Sequence, residues 1–384
     1  MLYNPPHMED FLYIDRGNRL AELCQALARS EWLGIDTEFL REKTYYPKLC
    51  LIQVASDHQI ACIDPLNIAD LSPLAALLAE PRIVKVLHAA RQDVEVLFHA
   101  LGMVPSPIFD TQLAAGFCGY GDQIGYAALT AEIADAQLEK AHTRADWSRR
   151  PLDPDALAYA ADDVRYLGTL YHHLQEQLDA MHRRDWLDAE TAALDDRRLY
   201  VPDPDAGWLR VRGHSRVEDA GARGVLRAVA TWRERRAMQK NRPRRWILTD
   251  EALIEVALRA PRSPAELGGI PGIGGVLKAG CGDQLVAAVA DGLNHPLAAT
   301  ASAAPTPDER NLARRLSKIV REGAARMKVS PALLANRKQL EQLARGERNL
   351  PVLTGWRREL IGEQLLAAAT ATPADDSEGV AATT

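Results

Sequence analysis

Residues Trp32 to Pro65, WLGIDTEFLREKTYYPKLCLIQVASDHQIACIDP, decide the fold. The stretch holds three runs with strand character: WLGIDTEF, LCLIQVAS and QIACIDP. The last two are separated by Asp57 and His58, as a hairpin requires. Downstream the patterns alternate. SPLAALLAE reads as helix, RIVKVLHA as strand, and DVEVLFHALG as a helix stopped by Gly102. From Asp110 to about Trp186 apolar residues recur mostly at three and four, so the rest of the block is helical. A hairpin start, then alternation, then helices predicts an α/β domain over residues 1–205, with a mixed sheet flanked by helices.

Pro202, Pro204 and Gly207 end that domain, and the chain beyond them is helical in pattern and rich in Arg. An Ala/Thr/Pro linker at 296–307 splits it into two blocks, 210–295 and 308–370. They read as weak copies: Ala237-Met238-Gln239-Lys240 is echoed by Ala325-Arg326-Met327-Lys328, and Gly282-Asp283-Gln284-Leu285 by Gly362-Glu363-Gln364-Leu365. Two repeats are too few for a solenoid, so each is expected to be a small helical bundle. The polar, acidic residues 371–384 are expected to be disordered.

Composition narrows the function. Mean hydropathy is −0.22, and no apolar run approaches the roughly 18 residues of a membrane span. Met1 to Asp15 carries acids where an export signal needs bases. The five cysteines form no C-x-x-C pair, which argues against a disulfide scaffold or a structural zinc site and for a reduced, cytoplasmic protein. Net charge −6 hides an asymmetry: residues 1–200 hold 18 Lys+Arg against 31 Asp+Glu, and residues 201–384 hold 28 against 21. An acidic front and a basic back fit a metal-using enzyme tethered to a module that binds polyanions. Solvated helix faces would give the same asymmetry.

Three places carry candidate chemistry. Asp36 and Glu38, two apart on a strand, point to one face. Asp93 comes after the strand RIVKVLHA at the start of a helix, where the helix dipole favours a carboxylate. Either could equally be a surface acid or a helix-starting residue. The third place is a helix begun by Asp153 and Pro154 that runs on as DALAYAADDVRYLGTLYHHLQEQL. Tyr159 and Asp163, four apart, share a face. On a helical wheel Asp163 lies about 60° from the apolar stripe and Asp162 about 160° from it, so Asp163 is expected near the core and Asp162 in solvent. An acid turned toward the core needs a partner, and a metal ion would supply one.

In order and spacing, GIDTEF, LHAARQDVEVL and YAADDVRYL resemble the three exonuclease motifs of the DEDD superfamily, in its tyrosine-bearing branch. LCLIQVA, FDTQLAA and KAHTRADWSRRPL look like ribonuclease D in particular, and the two basic blocks resemble tandem HRDC domains. The resemblance implies an RNase H-like exonuclease domain that hydrolyses RNA 3′ ends to nucleoside 5′-monophosphates. Its expected substrates are structured RNAs such as tRNA precursors, its cofactors two Mg²⁺ or Mn²⁺ ions, and its state a monomer away from membranes. It further implies Asp36 bridging both ions, Glu38 and Asp163 completing one, Asp93 holding the other and Tyr159 orienting the attacking water. Hard oxygen ligands favour these ions over zinc. His88, at a strand end, either touches phosphate or is structural.

Rival readings are a DNA 3′ exonuclease, since no motif visibly reads the ribose 2′-OH, and a non-catalytic RNA-binding scaffold. A helicase fragment lacks its G-x-x-x-x-G-K-[ST] loop. In the basic half, WRERRAMQKNRPRRW concentrates Arg and Lys between Trp232 and Trp246. These tryptophans either stack on bases or, the commoner role, pack a bundle core. GIPGIGG (Gly269 to Gly275) is either a phosphate-binding loop or a helix-linking turn.

Overall fold

The structure, a computed structural model, describes residues 11–138, 145–298 and 305–370. The tail 371–384 and Lys140 to Arg144 of the KAHTRADW segment lie outside the described residues. A six-stranded mixed sheet organises the first domain: β1 (Phe11–Ile14), β2 (Trp32–Leu40), β3 (Lys48–Ala55), β4 (Ile60–Ile63), β5 (Val84–Leu87) and β6 (Ile108–Asp110) lie in the order β1-β4-β3-β2-β5-β6. β2, β3 and β4 are antiparallel neighbours, while β1 joins β4, and β5 and β6 join beyond β2, in parallel. The expected hairpin closes between Ala55 and Ile60, with Ser56 N donating to Gln59 O at 3.0 Å. β1 and β6 carry no readable sequence signal. Runs of four and three residues are too short to show a period, and their partners are distant in the chain.

Alternation along β2 to β4 sends residues to two cores. Leu33, Ile35, Ile52, Val54, Ala61 and Ile63 face α1 (Gly17–Leu27), α2 (Ser72–Ala79) and α3 (Arg91–Leu101). Trp32, Leu51, Ala55, Ile60 and Cys62 face the other way, toward a layer built from α4 (Thr111–Cys118), α5 (Tyr126–Ala134), α6 (Pro154–Arg165), α7 (Leu167–Ala180) and α8 (Arg184–Ala192). Gly102 ends α3 in the left-handed region (φ 72°) with its N–H on Phe98 O, the chemistry read from the sequence.

The first helical block contains α9 (Ala220–Lys240), α10 (Arg244–Ile247), α11 (Asp250–Arg259), α12 (Pro264–Leu267), α13 (Gly274–Lys278) and α14 (Gly282–Asn294), around a core of its own. α9 and α14 meet at Gly224 and Gly292. There an added Cβ would stand 2.3 Å and 2.4 Å from backbone atoms, so only glycine permits the approach. The second block, α15 (Pro307–Met327), α16 (Pro331–Leu334), α17 (Arg337–Ala344), α18 (Gly355–Arg357) and α19 (Glu363–Thr370), packs its apolar face into the first domain's second core. Among the described residues no helix is long and apolar enough to cross a membrane.

Candidate active site

Asp36 and Glu38 stand on the β2 face that looks toward α6 and α7, and a β-bulge comes directly after Glu38. Asp93 comes from the opposite layer. It is the third residue of α3, and its Oδ1 accepts a 2.6 Å hydrogen bond from the Thr37 hydroxyl, which projects from the other face of the same strand. The start of α3 is itself pinned. Asp110 caps α4 through Gln112 N and Leu113 N and also accepts from Ala89 N at 3.1 Å and Ala90 N at 2.8 Å. These bonds hold the left-handed turn at Ala89 (φ 59°) from which Asp93 is launched. Both His88 ring nitrogens are engaged, by the Thr111 hydroxyl and by Ile124 O, each at 2.9 Å, so this histidine serves the framework.

α6 brings Tyr159 and Asp163. Asp153 caps it by accepting from Asp155 N, with Pro154 at the first position. The single helix expected from the sequence is in fact two. α6 stops at Arg165 and α7 starts at Leu167, because the Tyr126 hydroxyl inserts at the joint, donating to Asp162 O and accepting from Tyr166 N, both at 3.0 Å. Arg165 is only 2% exposed, and it holds Asp162 in an ion pair of 2.7 Å. Asp162 is thus partly open to solvent, as expected, and also a structural partner. Thr37, Asp110 and Tyr126, which position the site, escape sequence reasoning. Only Asp110 has a sequence signal, as the N-cap of the helix in FDTQLAA.

The acids repel one another in a poorly solvated cleft. Asp36 keeps some surface open to solvent but is walled densely enough that desolvation, then Asp93, Asp163 and Glu38, raise its pKa well above the usual carboxylate range. Glu38 is pushed up to about 8 by desolvation, then by Asp163 and Asp93. Desolvation also leads for Asp163, raised to about 7 with Asp162 and Asp93 adding to it. Asp93 rises to about 6, against the lowering pull of the Thr37 bond. Burial first, then Asp163, Glu38 and Asp36, raise the Tyr159 phenol, so it keeps its proton at neutral pH. Among the described residues the charges that act on Glu38 and Asp163 are other acids. Clustered carboxylates with oxygen donors suit divalent cations such as Mg²⁺ or Mn²⁺. Among the described residues no three His, Cys, Asp or Glu side chains form a ready-made metal cage.

The cations of the basic segment hold the fold, line a cleft or, as Arg244 does, serve both, and the cleft's Arg41, Arg198 and Arg210 are paired with Glu95, Asp196 and Glu234. Arg233 is fully buried on Asp250 and Leu248 O, Arg244 pairs with Glu234, and Arg235 with Asp205. Trp232 packs against its block's core, but Trp246 is 58% exposed, contrary to the packing role. Trp246 lines a cleft of about 840 Å³ between the first block and the α/β domain, together with Arg41, Arg91, Arg198, Arg210 and Arg245. GIPGIGG is a helix-linking turn that buries Ile270 and Ile273.

Known proteins are similar to this chain over most of its length. A family model described as 3′-5′ exonuclease matches residues 11–179, and one described as HRDC domain matches residues 222–289. Ribonuclease D of Granulibacter bethesdensis is 38% identical over 92% of this chain and 91% of its own length. That of Gluconacetobacter diazotrophicus is 40% identical over 91% and 90%. The crystal structure of Escherichia coli RNase D, described as an exoribonuclease involved in structured RNA processing, superposes with a TM-score of 0.83 at 31% identity. The match covers 94% of this chain and 98% of that one.

Proposed function

Because this chain belongs to the ribonuclease D family of 3′ to 5′ exoribonucleases, we propose that Asp36, Glu38, Asp93 and Asp163 hold two divalent cations, Mg²⁺ or Mn²⁺, and that Tyr159 orients the attacking water. The observation that carries this reading is the convergence of four acids on the inner strand β2, two from the strand itself, Asp93 from α3 and Asp163 from α6, close enough to raise one another's pKa and that of the Tyr159 phenol. When bound, such cations would supply charge stabilisation to the attacking and leaving oxygens of a phosphoryl displacement. Asp36 would be the ligand common to both, Glu38 and Asp163 would complete one position, and Asp93, steadied by Thr37, would serve the other. Tyr159 keeps its proton, so it acts as a hydrogen-bond donor to the water rather than as its base.

The substrates on this reading are structured RNAs such as tRNA precursors, shortened one nucleoside 5′-monophosphate at a time. The chain upstream of the 3′ end runs along the cleft of Arg41, Arg198, Arg245 and Trp246, where phosphates meet guanidinium groups and a base stacks on the indole. All five cysteines are free thiols, which supports a reducing compartment such as the cytoplasm.

The test is hydrolysis of matched RNA and DNA oligonucleotides with free and blocked 3′ ends. Asp36→Asn should lower the RNA rate by several orders of magnitude while leaving RNA binding in place. Asp163→Asn should do nearly the same, whereas Asp162→Asn should keep the chemistry and lose stability, because Arg165 loses its charged partner. Near wild-type cleavage by Asp36→Asn in Mg²⁺ would refute the site, and equal rates on DNA would refute the RNA preference.

A further inference from the structure

β3 is apolar along its buried length except at one place. Gln53 is 0% exposed, and among the described residues neither its Nε2 nor its Oε1 has a hydrogen-bond partner. Leaving such a group unmade costs about 1–3 kcal/mol, a cost that leucine or methionine at the same position would avoid. An orphaned amide in a core therefore calls for a reason.

The strand register supplies one. Gln53 lies directly opposite Asp36 on β2, and opposite Cys62 on β4. Residues directly opposite on an antiparallel ladder share a face, with Cβ atoms roughly 4.5–5.5 Å apart. The Gln53 and Asp36 side chains thus leave neighbouring strands on the same face, which also carries Glu38, beneath α6 with Tyr159 and Asp163. A neutral donor suits that position. Lysine or arginine there would neutralise the acid and compete with cations, while glutamate would add a fifth negative charge to a cluster that already repels itself.

We propose that Gln53 is a positioning residue for Asp36: in the metal-loaded enzyme its Nε2–H donates to the Asp36 carboxylate and fixes the orientation in which that carboxylate is shared between two cations. This rests on the assignment of Asp36 as a metal ligand. Outer partners of metal ligands characteristically contribute about 10–100-fold to metal affinity or activity.

The experiment compares full-length wild type, Gln53→Leu, Gln53→Met and Asp36→Asn, each stripped of metal. Mg²⁺ and Mn²⁺ binding is followed by calorimetry, the melting temperature is taken without metal, and kcat and KM are measured on a short RNA. Gln53→Leu should melt no lower than wild type in the absence of metal, since it removes an orphan. It should bind Mg²⁺ roughly tenfold more weakly, and should lower kcat with KM for RNA unchanged. Should the branched leucine disturb the core, Gln53→Met keeps the length of the side chain and must show the same pattern. Unchanged metal affinity and kcat in the folded variants overturns the proposal, as does a lowered metal-free melting temperature with metal affinity intact, the signature of a purely structural glutamine. If Asp36→Asn itself leaves Mg²⁺ affinity intact, the metal-site reading falls, and this inference with it.

Discussion

The two helical blocks, weak copies of each other in sequence, attach to the exonuclease domain by opposite means. The first closes around its own core and meets the domain through polar contacts: the Tyr45 hydroxyl donates to Glu234 at 2.6 Å, and Tyr45 N and Tyr46 N donate to Asn241 Oδ1 at 3.1 Å. The second has no core apart from the domain's. Its Leu316, Val320, Leu334 and Leu365 continue the cluster that holds Phe117, Leu170 and Leu174. Trp356 stacks on Trp186 with ring centres 4.7 Å apart and planes 13° from parallel, and meets Phe117 edge-on at 5.5 Å. Arg357 pairs with Glu190, and Arg183 donates to Met327 O. One block meets the domain across a polar seam, and the other shares the domain's core. A repeat visible in sequence does not fix what each copy does, because the outer faces of the helices, not the repeated positions, choose the neighbour.

The largest expected effect falls on the fused block. Trp356→Ala empties a stacked site in the shared core and should cost about 3–5 kcal/mol. Because that core also lies under α4, α7 and α8, cleavage should be lost with the fold, even on the shortest substrates. A lesion of similar size in the other block should act differently. Arg233→Met strands Asp250 and should also cost about 3–5 kcal/mol, yet only α9 to α14 should loosen. Hydrogen exchange on both variants decides the matter, and the contrast fails if Arg233→Met deprotects the sheet as well. Smaller again is Trp246→Ala, expected to weaken binding of long RNA by about 1–3 kcal/mol with melting temperature and short-substrate cleavage unchanged. Equal binding of long RNA would remove the cleft from the RNA path.

The smallest effect sets the acids around β2 apart from both blocks. In the metal-free protein Asp93, Asp163 and Glu38 titrate near 6, 7 and 8, above their unfolded values near 4. The folded state therefore binds more protons than the unfolded one, and this contribution to stability is lost as pH rises through those values. Mg²⁺ binds the deprotonated acids, so its stabilising effect should grow from pH 5.5 to pH 8. A difference of about 1 kcal/mol would read as roughly 2–4 °C in melting temperature. Trp246→Ala should keep that pH dependence and Asp163→Asn should blunt it; a Mg²⁺ effect that does not change with pH would contradict the carboxylate assignment.

Local pattern was enough for the central hairpin, the helix ended by Gly102, the basic character of the second half, and the acids Asp36, Glu38, Asp93 and Asp163 with Tyr159 as candidates, since alternation, capping and motif order act over a few residues. It also preferred Asp163 to Asp162 and placed Asp162 toward solvent, where it is indeed partly open, but it did not show the hydroxyl from another helix that splits α6 from α7 or the ion pair of Asp162 with the buried Arg165. The short strands β1 and β6, the hold of Thr37 on Asp93, the clamp of Asp110 on Ala89 and Ala90, the placement of Gln53 opposite Asp36, and the fusion of one repeat into the core through Trp356 were decided only by tertiary structure. Each joins residues far apart in the chain, and the free energy of such a contact comes from burial and hydrogen bonding that exist only once both partners are in place.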